Sequence, residues 1–157
     1  MSKEIERKFL VKPEYWHLFQ KGKLYYQGYL FSDNNKVIRV RIIDDKGFLA
    51  VKSKLSGITR DEFEYEIPFS DAQYILKNLC IRPIIEKYRS EVFISDLRWE
   101  VDKFVGENEG LVMAEIELED EKQSIILPEW VDREVTADSR YYNSNLAENP
   151  FCNWINT

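Results

Sequence analysis

The sequence predicts a mainly antiparallel β protein of the α+β class. Three observations carry this: short segments in which apolar and charged residues alternate, turn signals between those segments, and one clear helical stripe. The alternation starts at "EIERKFLV", residues 4–11. As a strand, this segment sends Glu4, Glu6 and Lys8 to one side and Ile5, Arg7 and Phe9 to the other.

"VIRVRII" (37–43) is a second strand and ends at "DDKG" (44–47), which reads as a tight turn. "FLAVKSKL" (48–55), the turn "SGIT" and "RDEFEYEIPF" (60–69) complete an antiparallel meander. The period then changes. In "SDAQYILKNL" (70–79), Ala72, Ile75, Leu76 and Leu79 form a helical stripe, with Ser70 and Gln73 as a capping box. Strands resume at "IIEKYRSEVFI" (84–94), turn at "SDL", and continue through "RWEVDKF" (98–104), the loop "GENEG" and "LVMAEIELE" (111–119). "PEYWHLFQKG" (13–22) reads as a short helical piece, and "VTADSRYYNSNLAENP" as a loop followed by a short helix. The expectation is about eight strands with a few helices.

Composition narrows the function classes. The 157 residues fit one domain, 1–157, with a sizeable core; they are 44% hydrophobic and 32% charged. The apolar runs are too short to span a bilayer, so no membrane partner is expected. The opening Met-Ser-Lys-Glu has no apolar segment behind its charges and does not read as a secretory signal. Two cysteines, Cys80 and Cys152, without a CxxC, fit a reducing cytoplasm and give no zinc site. The single histidine, His17, lies among apolar residues and reads as structural. A net charge of −6 disfavours nucleic acid as a partner.

The arrangement of charge says more than its sum. Same-sign pairs spaced i, i+2 recur along the strands: Arg39 and Arg41, Lys52 and Lys54, Glu62 and Glu64, Lys87 and Arg89, Glu100 and Asp102, Glu115 and Glu117. Each pair shares one face of its strand. With Glu4, Glu6 and Lys8 the set holds eight acids and seven bases. A solvated sheet face usually mixes in neutral polar residues and alternates its signs. Doublets of one sign fit better if the charged faces point into an eight-stranded closed barrel. Such an interior must hold water and ions, because dry charges are costly. The bases suit a multiply charged phosphate, and the acids suit hard divalent cations. Carboxylates two apart on a strand stand ~6.6 Å apart at the backbone and can converge on one ion.

These residues carry a family likeness. "EIERKF" resembles the ExExK signature of the CYTH superfamily, the triphosphate tunnel metalloenzymes, and is most like the small bacterial inorganic triphosphatases. "YQGYL", "IRVR", "VKSK", "TRDEFEYEI", "IEKYR", "WEVDKF", "AEIELE" and "EVTADSRYYN" resemble the family's successive strands, in order. The resemblance implies an eight-stranded tunnel that holds a linear triphosphate together with Mg²⁺ or Mn²⁺, two ions in all. Glu4, Glu6, Glu115 and Glu117 match metal ligands, and Lys8 a phosphate contact. Arg39, Arg41, Lys52, Lys54, Lys87 and Arg89 match the basic cradle. Glu62, Glu64, Glu100 and Asp102 match acids that tune the tunnel, with a bearing on a second metal or its water. Arg140 matches a base of the C-terminal segment that closes over the tunnel, and Tyr29 an inward tyrosine. The stretch "DEKQSIIL" is short where several members have a longer helix.

The leading expectation is metal-dependent hydrolysis of inorganic tripolyphosphate, with the triphosphate as the small-molecule partner. Adenylate cyclase and thiamine triphosphatase are the enzymatic alternatives, and a polyphosphate-binding module is the non-enzymatic one. A homodimer is left open.

Overall fold

The computed structural model describes residues 2–53 and 58–154. Nine strands run in chain order: β1 (Ser2–Val11), β2 (Lys23–Ser32), β3 (Lys36–Ile43), β4 (Lys46–Ser53), β5 (Thr59–Ile67), β6 (Ile85–Ile94), β7 (Leu97–Val105), β8 (Val112–Glu117) and β9 (Val131–Glu134). Two helices, α1 (Phe69–Asn78) and α2 (Asn143–Glu148), and several 3₁₀ turns join them. No helix among the described residues is long and apolar enough to cross a membrane.

The strands are hydrogen-bonded in the order β5-β4-β3-β2-β6-β7-β8-β1, and β5 also pairs with β1. That last pairing closes an eight-stranded antiparallel barrel. β1 makes the closure by dividing its length. Ser2–Ile5 pair with β5, while Glu6–Leu10 pair with β8. β9, which lies outside the strands expected from sequence, joins the C-terminal half of β1.

The outer faces are covered unevenly. Phe9, Val11, Trp99, Val101, Ala114 and Ile116 face out from β1, β7 and β8 and are buried under Phe19 and Trp130. Phe19 ends the 3₁₀ helix Pro13–Phe19, so the short helical piece expected over 13–22 is present over 13–19, with Phe19 as its apolar anchor. On the other flank, α1 lays Ala72 and Leu76 on Val40 and Ile42. The helix sits so close that a side chain at Gly47 would collide with Ala72. α1 begins at Phe69 behind Pro68, and no side chain caps it. The expected Ser70 capping box does not form, because Ser70 lies inside the first turn.

The inner faces divide by depth. At one end of the barrel Leu10, Tyr29, Val37, Ile85, Phe104 and Met113 follow the parity of the charged residues and so point inward. There they form an apolar cluster with Tyr141, Leu146 and Ala147 of the C-terminal segment. The interior is therefore not charged along its whole length; an apolar stopper built on α2 blocks one end. Leu146 and Ala147 have no exposed surface.

Candidate active site in the barrel interior

Above the stopper lies a cavity of about 390 Å³. Among the described residues nine bases and eight acids line it. The inward parity expected for Glu4, Glu6, Lys8, Arg39, Arg41, Lys52, Glu62, Glu64, Lys87, Arg89, Glu100, Glu115 and Glu117 is found, and all of them border the cavity. Tyr29 borders it as well, at its deep end.

Cross-strand register decides which charges meet. Arg39 and Glu64 both pair with Ala50, and the small methyl leaves them room to reach each other. Glu64 Oε2 accepts from Arg39 at 3.0 Å and from Arg41 at 3.1 Å. Lys52 stands opposite Glu62 in register; its Nζ lies 2.9 Å from Glu62 and 3.1 Å from Glu4. Arg89 faces Asp102 and makes a two-pronged contact with it, at 2.7 and 2.8 Å. Arg89 also reaches Glu100 at 3.1 Å and Glu115 at 3.5 Å. Lys8 lies 3.5 Å from Glu115. Most acids thus hold a base in place instead of standing free.

These partners set the proton affinities. Burial works to raise the Glu115 carboxyl, but Lys8, Arg89, Lys87 and Lys52 hold it well below the usual carboxylate range. Burial and Arg39 push Lys52 down, but Glu4, Glu6 and Glu62 leave it raised. Lys87 is pushed down to about 8, chiefly by burial, against the pull of Asp102.

Glu6 is different. Among the described residues its carboxyl makes no ion pair or hydrogen bond. In register it faces Glu117, an unfavourable cross-strand pairing of like charges. Burial first, then Glu115 and Glu4, push Glu6 up to about 8. Glu117 is also raised, by burial and by Glu4. This corner of the cavity has acid in excess of base. The donor set fits a hard divalent cation, which prefers carboxylate oxygens. Among the described residues no three carboxyls yet stand as a chelating cluster. The reason is visible in the pairs above: Glu4 leans on Lys52, and Glu115 on Lys8 and Arg89.

Around Arg39 and Arg41 donors are left over. Arg39 Nε and Arg41 Nε are buried with no hydrogen-bond partner. Unsatisfied guanidinium donors in a cavity wall call for an anion.

Two expected site residues lie elsewhere. Asp102 does not border the cavity; it is 1% exposed and sits behind Arg89 and Lys87 as their shared counter-ion. Arg140 lies on the outside, 2.7 Å from Asp138 and stacked on Trp154, because the short 3₁₀ turn Ser139–Tyr141 directs it away from the interior. Lys54 lies outside the described residues, as do Ser56 and Gly57 of the expected SGIT turn. His17 is exposed on the Pro13–Phe19 turn and borders no part of the cavity.

The cavity also recruits residues that the sequence reading passed over. Arg60 borders it and stacks on Tyr142, 5.1 Å from the ring centre. The signal was present, since Arg60 shares parity with Glu62 and Glu64. Tyr25 borders the cavity between the guanidinium groups of Arg41 and Arg89, each 5.2 Å from its ring. Gln27, Asn143 and Ser144 line the deep end. Gln27 and Tyr25 share the parity of Tyr29, but as neutral residues they stand outside the charge pattern.

A closed antiparallel barrel whose interior pairs a basic cradle with an acidic corner defines a class of protein built around a polyanion and a metal ion. The comparisons agree. The chain belongs to the CYTH domain family, which it matches over residues 2–147. It is 53% identical over 154 residues to a protein of Acetivibrio thermocellus named an inorganic triphosphatase, covering 98% of this chain and 99% of that one. An inorganic triphosphatase of Nitrosomonas europaea is 34% identical over 152 residues, covering 92% of this chain and 96% of that one. The crystal structure of the inorganic triphosphatase NE1496 superposes with a TM-score of 0.65 at 32% identity, covering 94% of this chain and 95% of that one. Membership implies dependence on a divalent cation.

Proposed function

We propose that this chain hydrolyses a linear triphosphate, inorganic tripolyphosphate, with the help of Mg²⁺ or Mn²⁺. The observation that carries the reading is a cavity lined by nine bases and eight acids among the described residues, in which Arg39 Nε and Arg41 Nε have no hydrogen-bond partner and Glu6 has no ion pair. Arg39, Arg41, Lys52, Lys87, Arg89 and Lys8 bind the non-bridging oxygens, and Arg60 adds a base at the side of Tyr142. Glu62, Glu64 and Glu100 orient these bases, and Asp102 supports Arg89 and Lys87 from behind. Glu4, Glu6, Glu115 and Glu117 hold the cation, in a complex with two ions. A bound divalent cation supplies Lewis-acid stabilisation of charge on the phosphate oxygens. The cradle adds fixed, preorganised positive charge around the reacting phosphoryl group. No side chain is required as a covalent nucleophile. Two free thiols, Cys80 and Cys152, suit a reducing cytoplasm.

Tyr25 is held between Arg41 and Arg89 and is not free to stack on a base or a thiazolium ring, which disfavours the nucleotide and thiamine readings. A pure binding module would need the bases but not the acidic corner. The test is a panel of tripolyphosphate, ATP, thiamine triphosphate and pyrophosphate, each with Mg²⁺ or Mn²⁺, scored for phosphate and for cyclic nucleotide. Tripolyphosphate is expected to turn over fastest. Cyclic AMP as the main product from ATP would instead identify a cyclase.

Arg60 supplies a sharper check. Among the described residues it has no ion-pair partner, so Arg60→Ala leaves no acid stranded, and loss of its stacking on Tyr142 is expected to lower stability by only about 0.5–1 kcal/mol. Loss of a charge-assisted contact to phosphate is expected to raise KM for tripolyphosphate on the order of tenfold or more. An unchanged KM would remove Arg60 from the binding set.

A further inference from the structure

The bases of the cradle are held in two ways, and only one of them uses acids. β2 lies between β3 and β6, and Tyr25 of β2 borders the cavity. Arg41 comes from β3 and Arg89 from β6, and each brings its guanidinium carbon to 5.2 Å from the centre of the Tyr25 ring. At that distance a guanidinium is attracted to the negative face of the ring. In other respects the two bases are held unequally. Arg89 has its two-pronged contact with Asp102 and further contacts with Glu100 and Glu115. Among the described residues Arg41 has a single acid contact, 3.1 Å to Glu64 Oε2, and it shares that oxygen with Arg39. Its Nε has no hydrogen-bond partner. Burial lowers its proton affinity, and the like charges of Arg39 and Arg89 lower it further, against the pull of Glu64. Arg41 is thus crowded by two cations and held by half of one carboxylate oxygen and by the Tyr25 ring.

We propose that Tyr25 is a positioning residue of the phosphate cradle: its ring stands between Arg41 and Arg89, keeps the two like charges apart, and fixes the Arg41 guanidinium where it can meet phosphate oxygens. The inference rests on the triphosphatase reading and adds to it a neutral residue that acts through a base. An acid could hold Arg41 too, but it would cancel the charge that the anion needs. An aromatic ring holds a guanidinium and leaves its charge in place. The attraction belongs to the ring face, so the tyrosine hydroxyl is not required. A ring already in contact with Arg41 before substrate arrives lowers the ordering cost of binding. The arrangement recurs at Tyr142, which borders the cavity with Lys8 Nζ 5.7 Å and Arg60 5.1 Å from its ring centre.

The test is a set of substitutions at Tyr25, made in the wild-type chain and again in an Arg41→Ala background, with KM and kcat measured for tripolyphosphate and Mg²⁺. Tyr25→Leu fills the space without a ring face and is expected to raise KM about tenfold with a smaller change in kcat. Tyr25→Phe keeps the face and is expected to stay within about twofold of wild type. Because the effect runs through Arg41, Tyr25→Leu in the Arg41→Ala background is expected to change KM by less than about twofold. A tyrosine that only supports the barrel would cost the same factor in both backgrounds. The proposal is overturned by an unchanged KM in Tyr25→Leu, by a loss in Tyr25→Phe as large as in Tyr25→Leu, or by an undiminished effect of Tyr25→Leu when Arg41 is absent. If Tyr25→Leu does not fold, pentafluorinated phenylalanine at position 25 keeps the shape of the ring but removes its negative face, and the same comparisons are made with it. If the wild-type protein hydrolyses no triphosphate, the triphosphatase reading fails by itself. The same proteins are then titrated with tripolyphosphate and Mg²⁺ by calorimetry: the pattern above in Kd supports the positioning role, and its absence overturns it.

Discussion

Replacing Asp102 by alanine is expected to produce a large loss of stability, about 3–5 kcal/mol, although the residue borders no part of the cavity. Asp102 is the counter-ion of two buried bases, Arg89 at 2.7 Å and Lys87 at 2.9 Å. Burial works to raise its carboxyl, but Arg89 and Lys87 hold it below the ordinary aspartate range. Removing it leaves Lys87, 1% exposed, with Asn143 as its main partner. Arg89 keeps Glu100 and the more distant Glu115, so the larger share of the loss falls on Lys87. A chain of this length loses roughly 2–4 °C of Tm per kcal/mol, so a fall of roughly 10 °C is expected. The pH dependence follows from the direction of the shift. A carboxyl held low in the folded state stabilises the fold above its unfolded value near ~3.9, and that stability is lost as the pH falls through its lower folded value. The gap between wild type and Asp102→Ala is therefore expected to be wide at pH 7 and to narrow under acid. Thermal melts from pH 7 to pH 3 check both parts. A variant that melts within a few degrees of wild type at pH 7 would show that Glu100, Glu115 and Asn143 can carry both bases.

Glu6→Gln is expected to do the opposite to stability while removing activity. Glu6 makes no ion pair among the described residues; Lys52 and Lys8 pull its carboxyl down, but burial, Glu115 and Glu4 outweigh them and raise it to about 8. In the unfolded chain it titrates near ~4.3. Between those values the native protein holds a proton that the unfolded chain has released, so wild-type stability falls as the pH rises through this window, by at most about 1.4 kcal/mol per pH unit. Glutamine has no proton to lose. The variant is expected to melt level with wild type near pH 5 and above it at pH 8, in protein stripped of divalent ions by a chelator. Added Mg²⁺ reverses the order. A ligand at 100 times its dissociation constant stabilises the protein that binds it by about 2.7 kcal/mol, and the variant gains less. Loss of a metal-binding carboxylate is expected to lower triphosphatase activity on the order of a hundredfold or more, since even outer-shell partners can cost that much. If chelator-treated Glu6→Gln melts well below wild type at pH 8, Glu6 is a structural partner and its place in the cation site is wrong.

Parity along each strand determined which residues of this protein can reach the interior. Glu4, Glu6 and Lys8 on β1, or Arg39 and Arg41 on β3, needed only a period of two and an inside to point to. The helix, the turns after β3 and β6 and the closed barrel followed from the same pattern, and the ordered motifs carried the family. Sequence could not fix how far along the barrel each inward residue sits, because depth depends on register between strands that are distant in the chain. Register places Asp102 behind Arg89 instead of in the cavity, and it turns Phe104 and Met113, which share the parity of charged residues, into part of a stopper. Nor could sequence show that β9 and the Ser139–Tyr141 turn direct Arg140 outward while bringing Asn143 and Ser144 inward. Those placements are set by packing Tyr141, Leu146 and Ala147 into the open end of the barrel. Burial of apolar surface there outweighs the pull of any single charge, and only the folded chain decides which side chains it takes along.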